Sequence, residues 1–371
     1  MMKKSLLLLL IVVFLLILSS CFNDDRTSVL PVEPMETFQI NVEHIGERDS
    51  FMSLINKSII GVDYDARLRN EYSIYRYYFE TNERVDIGVI QNFSMTYGRP
   101  VVSNDFLYLF VAAYENNIIV NNLYSINLKT NEMEILFTND NSITVTPVST
   151  MSGNLYFLGT NTNVEENTIY SHISKLDDET KQPLSVINKY KYDPNIGDIF
   201  VNFAAYNDEL YVLTMVKENN ETIYVVDIYD ISYNLTKRLY LDETLGDIQT
   251  DQRITKFYVV DGYVFIRTTG QGLLGKIDDT KIVSVLVDPG LDMAFNAFNN
   301  FEENCIFYVM RTNIHYVLNL KNNTLVEKEW VYDDTRVISY ILSDNEGYII
   351  HNYIPEKSGL MLSPEIVYAE W

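Results

Sequence analysis

Residues 123–136 read LYSINLKTNEMEIL. Apolar and polar positions alternate, the chain turns at Lys129-Thr130-Asn131, and the alternation resumes. Period-two patterning on both sides of a tight polar turn is the signature of a β-hairpin. The unit recurs at 74–87 (IYRYYFETNERVDI), 170–186 (YSHISKLDDETKQPLSV), 224–239 (YVVDIYDISYNLTKRL), 275–286 (GKIDDTKIVSVL) and 316–326 (YVLNLKNNTLV). A second, more apolar run precedes these hairpins: LYLF at 107–110, LYFL at 155–158, LYVL at 210–213, YVFI at 263–266, IFYV at 306–309 and YII at 348–350.

These apolar runs begin near Ser58, Leu107, Leu155, Leu210, Tyr263, Cys305 and Tyr348, at spacings of 49, 48, 55, 53, 42 and 43 residues. A period in this range, with four short strand patterns per repeat, marks a β-propeller. The second repeat shows the full pattern, with strands expected at 94–102, 106–113, 123–129 and 132–137. Seven repeats predict seven blades, with six or eight as the neighbouring alternatives. The last repeat offers only three strand patterns, at 337–342, 348–353 and 366–370, which leaves an open edge. Open edges invite aggregation, so the orphan pattern FQINVE at 38–43 is expected to close the ring as that blade's outer strand. The composition agrees with an all-β chain: among 371 residues 47% are apolar, with 28 Tyr and 18 Phe. Aromatic and β-branched side chains suit half-buried pleated surfaces.

The N-terminus reads differently. Lys3 and Lys4 precede an uninterrupted apolar run of thirteen residues, Leu6 to Leu18. That length suits a signal-peptide core and falls short of the roughly 20 residues that span a bilayer. The run ends in Leu18-Ser19-Ser20-Cys21, which resembles the lipobox of bacterial lipoproteins. The resemblance implies that residues 1–20 are removed and that Cys21 is diacylated and becomes the mature N-terminus. It also implies a location at the cell membrane, lipid-anchored and facing outside the cytoplasm. Phe22, not an acid, follows Cys21. Residues 21–37, acidic and carrying Pro31 and Pro34, read as a spacer, and 38–371 as the propeller. The repeats resemble the TolB-like and low-density-lipoprotein-receptor-like propellers of exported bacterial proteins, which pair an "LY" strand with a polar turn. Neither a Trp-Asp dipeptide nor a YWTD box is present.

The formal charge is −23, and loss of Lys3 and Lys4 takes it to −25. Such a surface repels nucleic acid and anionic headgroups. It either keeps an exported domain soluble or attracts cations or a basic partner. No GxSxG, HExxH, P-loop or GxGxxG pattern occurs. Of the four histidines, His44, His172, His315 and His351, none pairs with another at metal-ligand spacing; His172 and His315 read as partly exposed strand residues. Cys305 sits in a strand pattern and reads as a small apolar core residue.

Loop lengths are uneven. Connections from first to second and from third to fourth strands are short, and both sets lie on one face of a propeller. The opposite face takes the second-to-third loops, expected long at 63–70, 114–122, 161–168 and 353–359, and the blade-to-blade connections at 192–198, 242–252 and 288–294. Binding residues concentrate on such loops. The connections hold Asp140, Asp193, Asp198, Asp242, Glu243, Asp247, Asp251, Asp288, Asp292, Asp333 and Asp334. Asp193, Asp198, Asp242 and Asp288 are the candidate ligand-binding residues, because their loops are long enough to fold toward the axis. An oxygen-rich site of that kind takes calcium. The expected function is therefore a membrane-anchored binding or assembly module for an envelope protein or a cationic ligand. The alternative is a propeller enzyme, a lyase or hydrolase acting on an envelope glycan or other extracellular substrate.

Overall fold

The computed structural model describes residues 37–39, 49–63, 70–103, 105–116, 118–139, 144–151, 154–163, 168–177, 179–192, 199–218, 221–241, 254–268, 272–287, 299–301, 304–309, 314–319, 324–329, 337–343, 347–355 and 361–370. Within them the secondary structure is all β. A short first strand, β1 (Thr37–Gln39), precedes a first unit of β2 (Ser50–Leu54), β3 (Ser58–Val62), β4 (Tyr72–Tyr78) and β5 (Glu83–Ile90). The second unit is β6 (Phe93–Ser103), β7 (Phe106–Glu115), β8 (Ile118–Asn127) and β9 (Met133–Asn139); the third is β10 (Thr144–Met151), β11 (Asn154–Asn163), β12 (Thr168–Leu176) and β13 (Pro183–Tyr192). The fourth is β14 (Ile199–Tyr206), β15 (Glu209–Glu218), β16 (Glu221–Tyr229) and β17 (Leu235–Leu241); the fifth is β18 (Ile254–Val260), β19 (Tyr263–Thr268), β20 (Gly272–Asp278) and β21 (Lys281–Val287). The sixth is β22 (Asn299–Phe301), β23 (Asn304–Val309), β24 (Ile314–Asn319) and β25 (Thr324–Glu329). The last comprises β26 (Val337–Ser343), β27 (Gly347–Pro355) and β28 (Met361–Glu370), with β1 as its fourth strand.

Each unit is a four-stranded antiparallel meander, and the chain is a β-propeller. Every second strand starts within one residue of the apolar run that announces it. Inner strands neighbour one another around the ring: β2 lies beside both β6 and β26, β10 beside β6 and β14, and β14 beside β18. Closure is by β1, which pairs antiparallel with β28 through Thr37↔Ala369, Phe38↔Tyr368 and Gln39↔Val367. The closing strand begins one residue before the expected pattern, and residues 40–43 of that pattern lie outside the described residues.

The core is a series of layers between units. Ile60, Val62, Ile74 and Ile90 of the first unit pack against Leu107, Leu109, Val111, Tyr124 and Ile126 of the second. The next position along β7, Phe110, points the other way and packs with Leu123 and Phe137 against Leu155, Phe157 and Leu176 of the third unit. Because both sheet faces are covered, the middle strands are buried at consecutive positions, as all five residues of β3 are. This is why they read as unbroken apolar runs, whereas in an outer strand such as β5 nearly every residue is partly or fully exposed.

Turn chemistry explains the modest glycine count of 15. Asn56-Lys57, Asn207-Asp208 and Asp261-Gly262 place two successive residues at positive φ between first and second strands. Such pairs make the two-residue turns whose twist matches antiparallel strands. Asn and Asp tolerate this region because their short side chains hydrogen-bond locally.

Several features depart from the sequence reading. The loop expected at 161–168 is shortened, because β11 and β12 pair out to Asn163↔Thr168. The long loop expected at 114–122 is a hairpin instead: β7 and β8 pair out to Tyr114↔Ile119 and Glu115↔Ile118, and Asn116 takes the turn with φ of 50°. The β-branched run Ile118-Ile119-Val120 extends the strand where the asparagines alone read as loop. His172 is buried, not partly exposed, because its strand is covered on both faces. Finally, β17 and β21 pair in parallel through Tyr240↔Lys281 and Leu241↔Ile282, joining the fourth and fifth units at their outer edges.

Candidate binding face

The meander order defines two faces. The turn face carries the links from first to second and third to fourth strands. The connection face carries the second-to-third hairpins and the blade-to-blade links. On the turn face, carboxylate and amide side chains cap the third-to-fourth turns. Asn127 Oδ1 accepts from the backbone N–H of Lys129 (2.9 Å) and Thr130 (3.2 Å). Asp177 Oδ1 accepts from the N–H of Thr180 at 2.7 Å, and Asp230 Oδ1 from those of Ser232 and Asn234, both at 2.9 Å. These bonds favour the ionised form and hold the Asp177 and Asp230 carboxyls below the ordinary carboxylate range. The turn residues are thereby assigned to local geometry.

Arg76 ties the first unit to the second at this face. Its Nε donates to Ser58 Oγ at 2.8 Å, its terminal nitrogen donates to the Leu128 carbonyl, and its guanidinium lies 4.8 Å from the Tyr78 ring centre. Asn131 Nδ2 donates back to the Tyr78 hydroxyl at 3.0 Å. Burial lowers the Arg76 pKa, and the Tyr78 side chain partly offsets this.

A second charged cluster sits on the side of the first unit opposite the second. Ile60, Val62 and Ile74 face the second unit, so Gly61 and Tyr75 face away from it. Tyr75 lies over Gly61, where even a Cβ would fall 2.4 Å from its ring. The Tyr75 hydroxyl donates to Asp49 Oδ2 at 2.9 Å, and the Arg84 guanidinium lies 4.0 Å from the same ring. Arg84 contacts Asp63 at 3.0 Å, Asp86 at 3.2 Å and Asp49 at 3.9 Å. Burial works against the guanidinium charge, but the bonds Arg84 donates to Asp63 and Asp86, with the attraction of Tyr75 and Asp86, outweigh it and raise the pKa. Asp49, just before β2, and Asp63, just after β3, lie at the connection-face end of this unit, and Arg84 holds both. In the fourth unit, buried Asp227 takes a two-pronged bond from Arg238, Nε to Oδ1 at 2.7 Å and NH2 to Oδ2 at 2.9 Å.

The other perturbed groups are structural in character. Burial, with the Tyr233 hydroxyl 3.2 Å away, pushes the Tyr156 phenol well above its ordinary range. Burial and Glu209 do the same to Tyr211. Burial lowers the His172 pKa and favours its neutral form. Long-range contacts such as Tyr75–Asp49–Arg84 leave no short-range trace; a lone glycine inside an otherwise apolar strand was the one legible hint.

The connection face is where the hairpins extend furthest. At the tip of β7–β8, Tyr114 is 48% exposed and Ile118 60% exposed. The four candidate residues Asp193, Asp198, Asp242 and Asp288, with the remaining acids of the blade connections, lie outside the described residues. Among the described residues no three His, Cys, Asp or Glu side chains come together as a metal site. Cys305 falls in β23, His315 in β24 and His351 in β27, while His44 lies outside the described residues.

No protein-family model and no curated protein matches the sequence. Solved structures match in fold. An oligogalacturonate lyase from Vibrio parahaemolyticus superposes with a TM-score of 0.52 at 12% identity, over 91% of this chain and 97% of that one. An oligogalacturonate lyase in complex with manganese gives 0.53 at 9% identity, over 91% and 96%. An acylaminoacyl peptidase from Pyrococcus horikoshii gives 0.52 at 11% identity over 82% of this chain, which spans about half of that protein, 48%. At such identities the likeness establishes the β-propeller fold.

Proposed function

We propose that this chain is a lipoprotein held at the cell membrane through Cys21 and facing outside the cytoplasm, with the propeller serving as a binding or assembly module. The observation that carries the reading is the order of the N-terminal signals: Lys3 and Lys4, thirteen apolar residues, then Leu18-Ser19-Ser20-Cys21. The binding role is supported by the connection face, where the β7–β8 hairpin extends past the inner strand and exposes Tyr114 and Ile118. The surrounding connections are acidic in sequence, which favours a cationic ligand or a basic envelope protein, bound in a salt-dependent way. Nucleic acid is disfavoured by the same charge.

The test of the anchor is partition. Wild-type protein should sediment with membranes and incorporate labelled palmitate, since two acyl chains anchor stably where one is marginal. Cys21→Ala should remain an unlipidated precursor. Wild-type protein free in the medium would overturn the reading.

The enzyme alternative draws on the fold shared with the oligogalacturonate lyases. Fold alone does not transmit activity. Incubating the purified domain with oligogalacturonate, with and without manganese, separates the two. Accumulation of unsaturated product would favour the lyase, and salt-dependent capture of one fixed envelope protein would favour the binding module.

A further inference from the structure

The direction of the closing strand fixes which face of the propeller an N-terminal anchor leaves from. At the connection face, Pro355 ends β27 and pairs with Met361, the first residue of β28. At the turn face, Gly347 begins β27 and pairs with Glu370, the last residue of β28. β28 therefore runs from the connection face to the turn face. β1 lies antiparallel to it, with Thr37 opposite Ala369 and Gln39 opposite Val367. Thr37 is thus at the turn-face end of the last unit, and the chain preceding it departs from the rim of that face.

On the reading that Cys21 carries lipid, we infer that the turn face is directed toward the membrane and the connection face, with the β7–β8 tip, is directed away from it. Fifteen residues separate Cys21 from Thr37, and their reach is at most about 55 Å. A strand of ten residues such as β28 is about 33 Å long. Inverting the domain would require the tether to run back along that length before reaching the bilayer, using more than half of its full extension. The turn face also carries Asp177 and Asp230, carboxylates fixed in the ionised form by their turns. They oppose contact with anionic headgroups, so the domain stands off the bilayer at tether distance and does not lie on it. A partner would meet the propeller from the side away from the membrane.

The test uses lipidated protein purified from membranes and reconstituted in phosphatidylcholine vesicles holding a trace of headgroup-labelled acceptor lipid. In a Cys305→Ser background, a donor dye is attached either at Thr81→Cys, exposed in the β4–β5 turn, or at Ile118→Cys, exposed at the β7–β8 tip. The two positions differ by about a strand length in height, so transfer from position 81 should exceed that from 118 by at least about twofold. Equal or reversed transfer in protein that floats with the vesicles would overturn the orientation while leaving the anchor intact. Protein that does not float at all would overturn the lipid reading, and the orientation with it.

Discussion

Replacing Gly61 with alanine tests the packing of the first unit most sharply. Gly61 is the fourth of the five residues of β3, in ordinary extended backbone; Gly262 is the one described glycine at positive φ. By backbone considerations alone the substitution should stabilise, by about 0.4–1 kcal/mol, through a less flexible unfolded chain. The structure predicts the opposite sign. The new Cβ would fall 2.4 Å from Tyr75 Cζ, 2.5 Å from its hydroxyl oxygen and 2.8 Å from Cε2. Tyr75 is fully buried, its hydroxyl is bonded to Asp49 and its ring lies under Arg84, so it cannot swing aside without breaking both contacts. Overpacking of this kind costs about 1–3 kcal/mol, and a lost bond to a carboxylate adds about 1.5–3 kcal/mol. After the backbone gain, a net loss of about 1.5–5.5 kcal/mol is expected. Urea unfolding of Gly61→Ala, Tyr75→Leu and the double variant provides the assay. In the Tyr75→Leu background the alanine should cost almost nothing, a coupling of about 2 kcal/mol or more. A Gly61→Ala variant within about 0.5 kcal/mol of wild type, or one whose cost is the same in both backgrounds, would refute the reasoning.

Three further outcomes follow from the same structure. Removing residues 22–36 should leave the melting temperature unchanged, whereas removal through Glu43 takes β1 from β28, exposes a strand edge and should lower it by roughly 5 °C or more with aggregation; equal melting of the two truncations would contradict closure by β1. Arg238→Leu leaves the Asp227 carboxylate without its two-pronged partner at a fully buried position, and should cost about 3 kcal/mol, while pairing it with Asp227→Leu should recover part of that loss in thermal unfolding. The Asp177 and Asp230 carboxyls titrate below their ordinary value of 3.8, so the stability they contribute is complete above that pH and is lost as pH falls through the lower folded values. Acid titration followed by circular dichroism should therefore show Asp177→Asn and Asp230→Asn differing from wild type above pH 3.8 and converging with it below.

The architecture was legible because propeller blades are built from local meanders. Runs such as LYLF at 107–110 and LYVL at 210–213 are apolar throughout because both faces of the middle strands are covered, and their spacing marks the repeats. The closing role of residues near Phe38 was legible by subtraction, since the last unit lacked a fourth strand. Other features depend on partners distant in sequence. The asparagines at 116 and 117 read as loop, but the strand-forming residues after them carry the hairpin two residues further. His172 is polar in type yet buried by a neighbouring unit, and the parallel bridge from β17 to β21 joins outer edges with no local signature. The acidic connections, Asp193, Asp198, Asp242 and Asp288 among them, were singled out by loop length and charge, and lie outside the described residues.

The most direct test of the account is the mass of the mature N-terminal peptide from membrane-extracted protein. Anchoring through Cys21 predicts a peptide that begins at residue 21 and carries a thioether-linked diacylglycerol, in protein that partitions into the detergent phase. A mature protein in the aqueous phase whose N-terminal peptide holds an unmodified Cys21 thiol, or begins elsewhere, would contradict it.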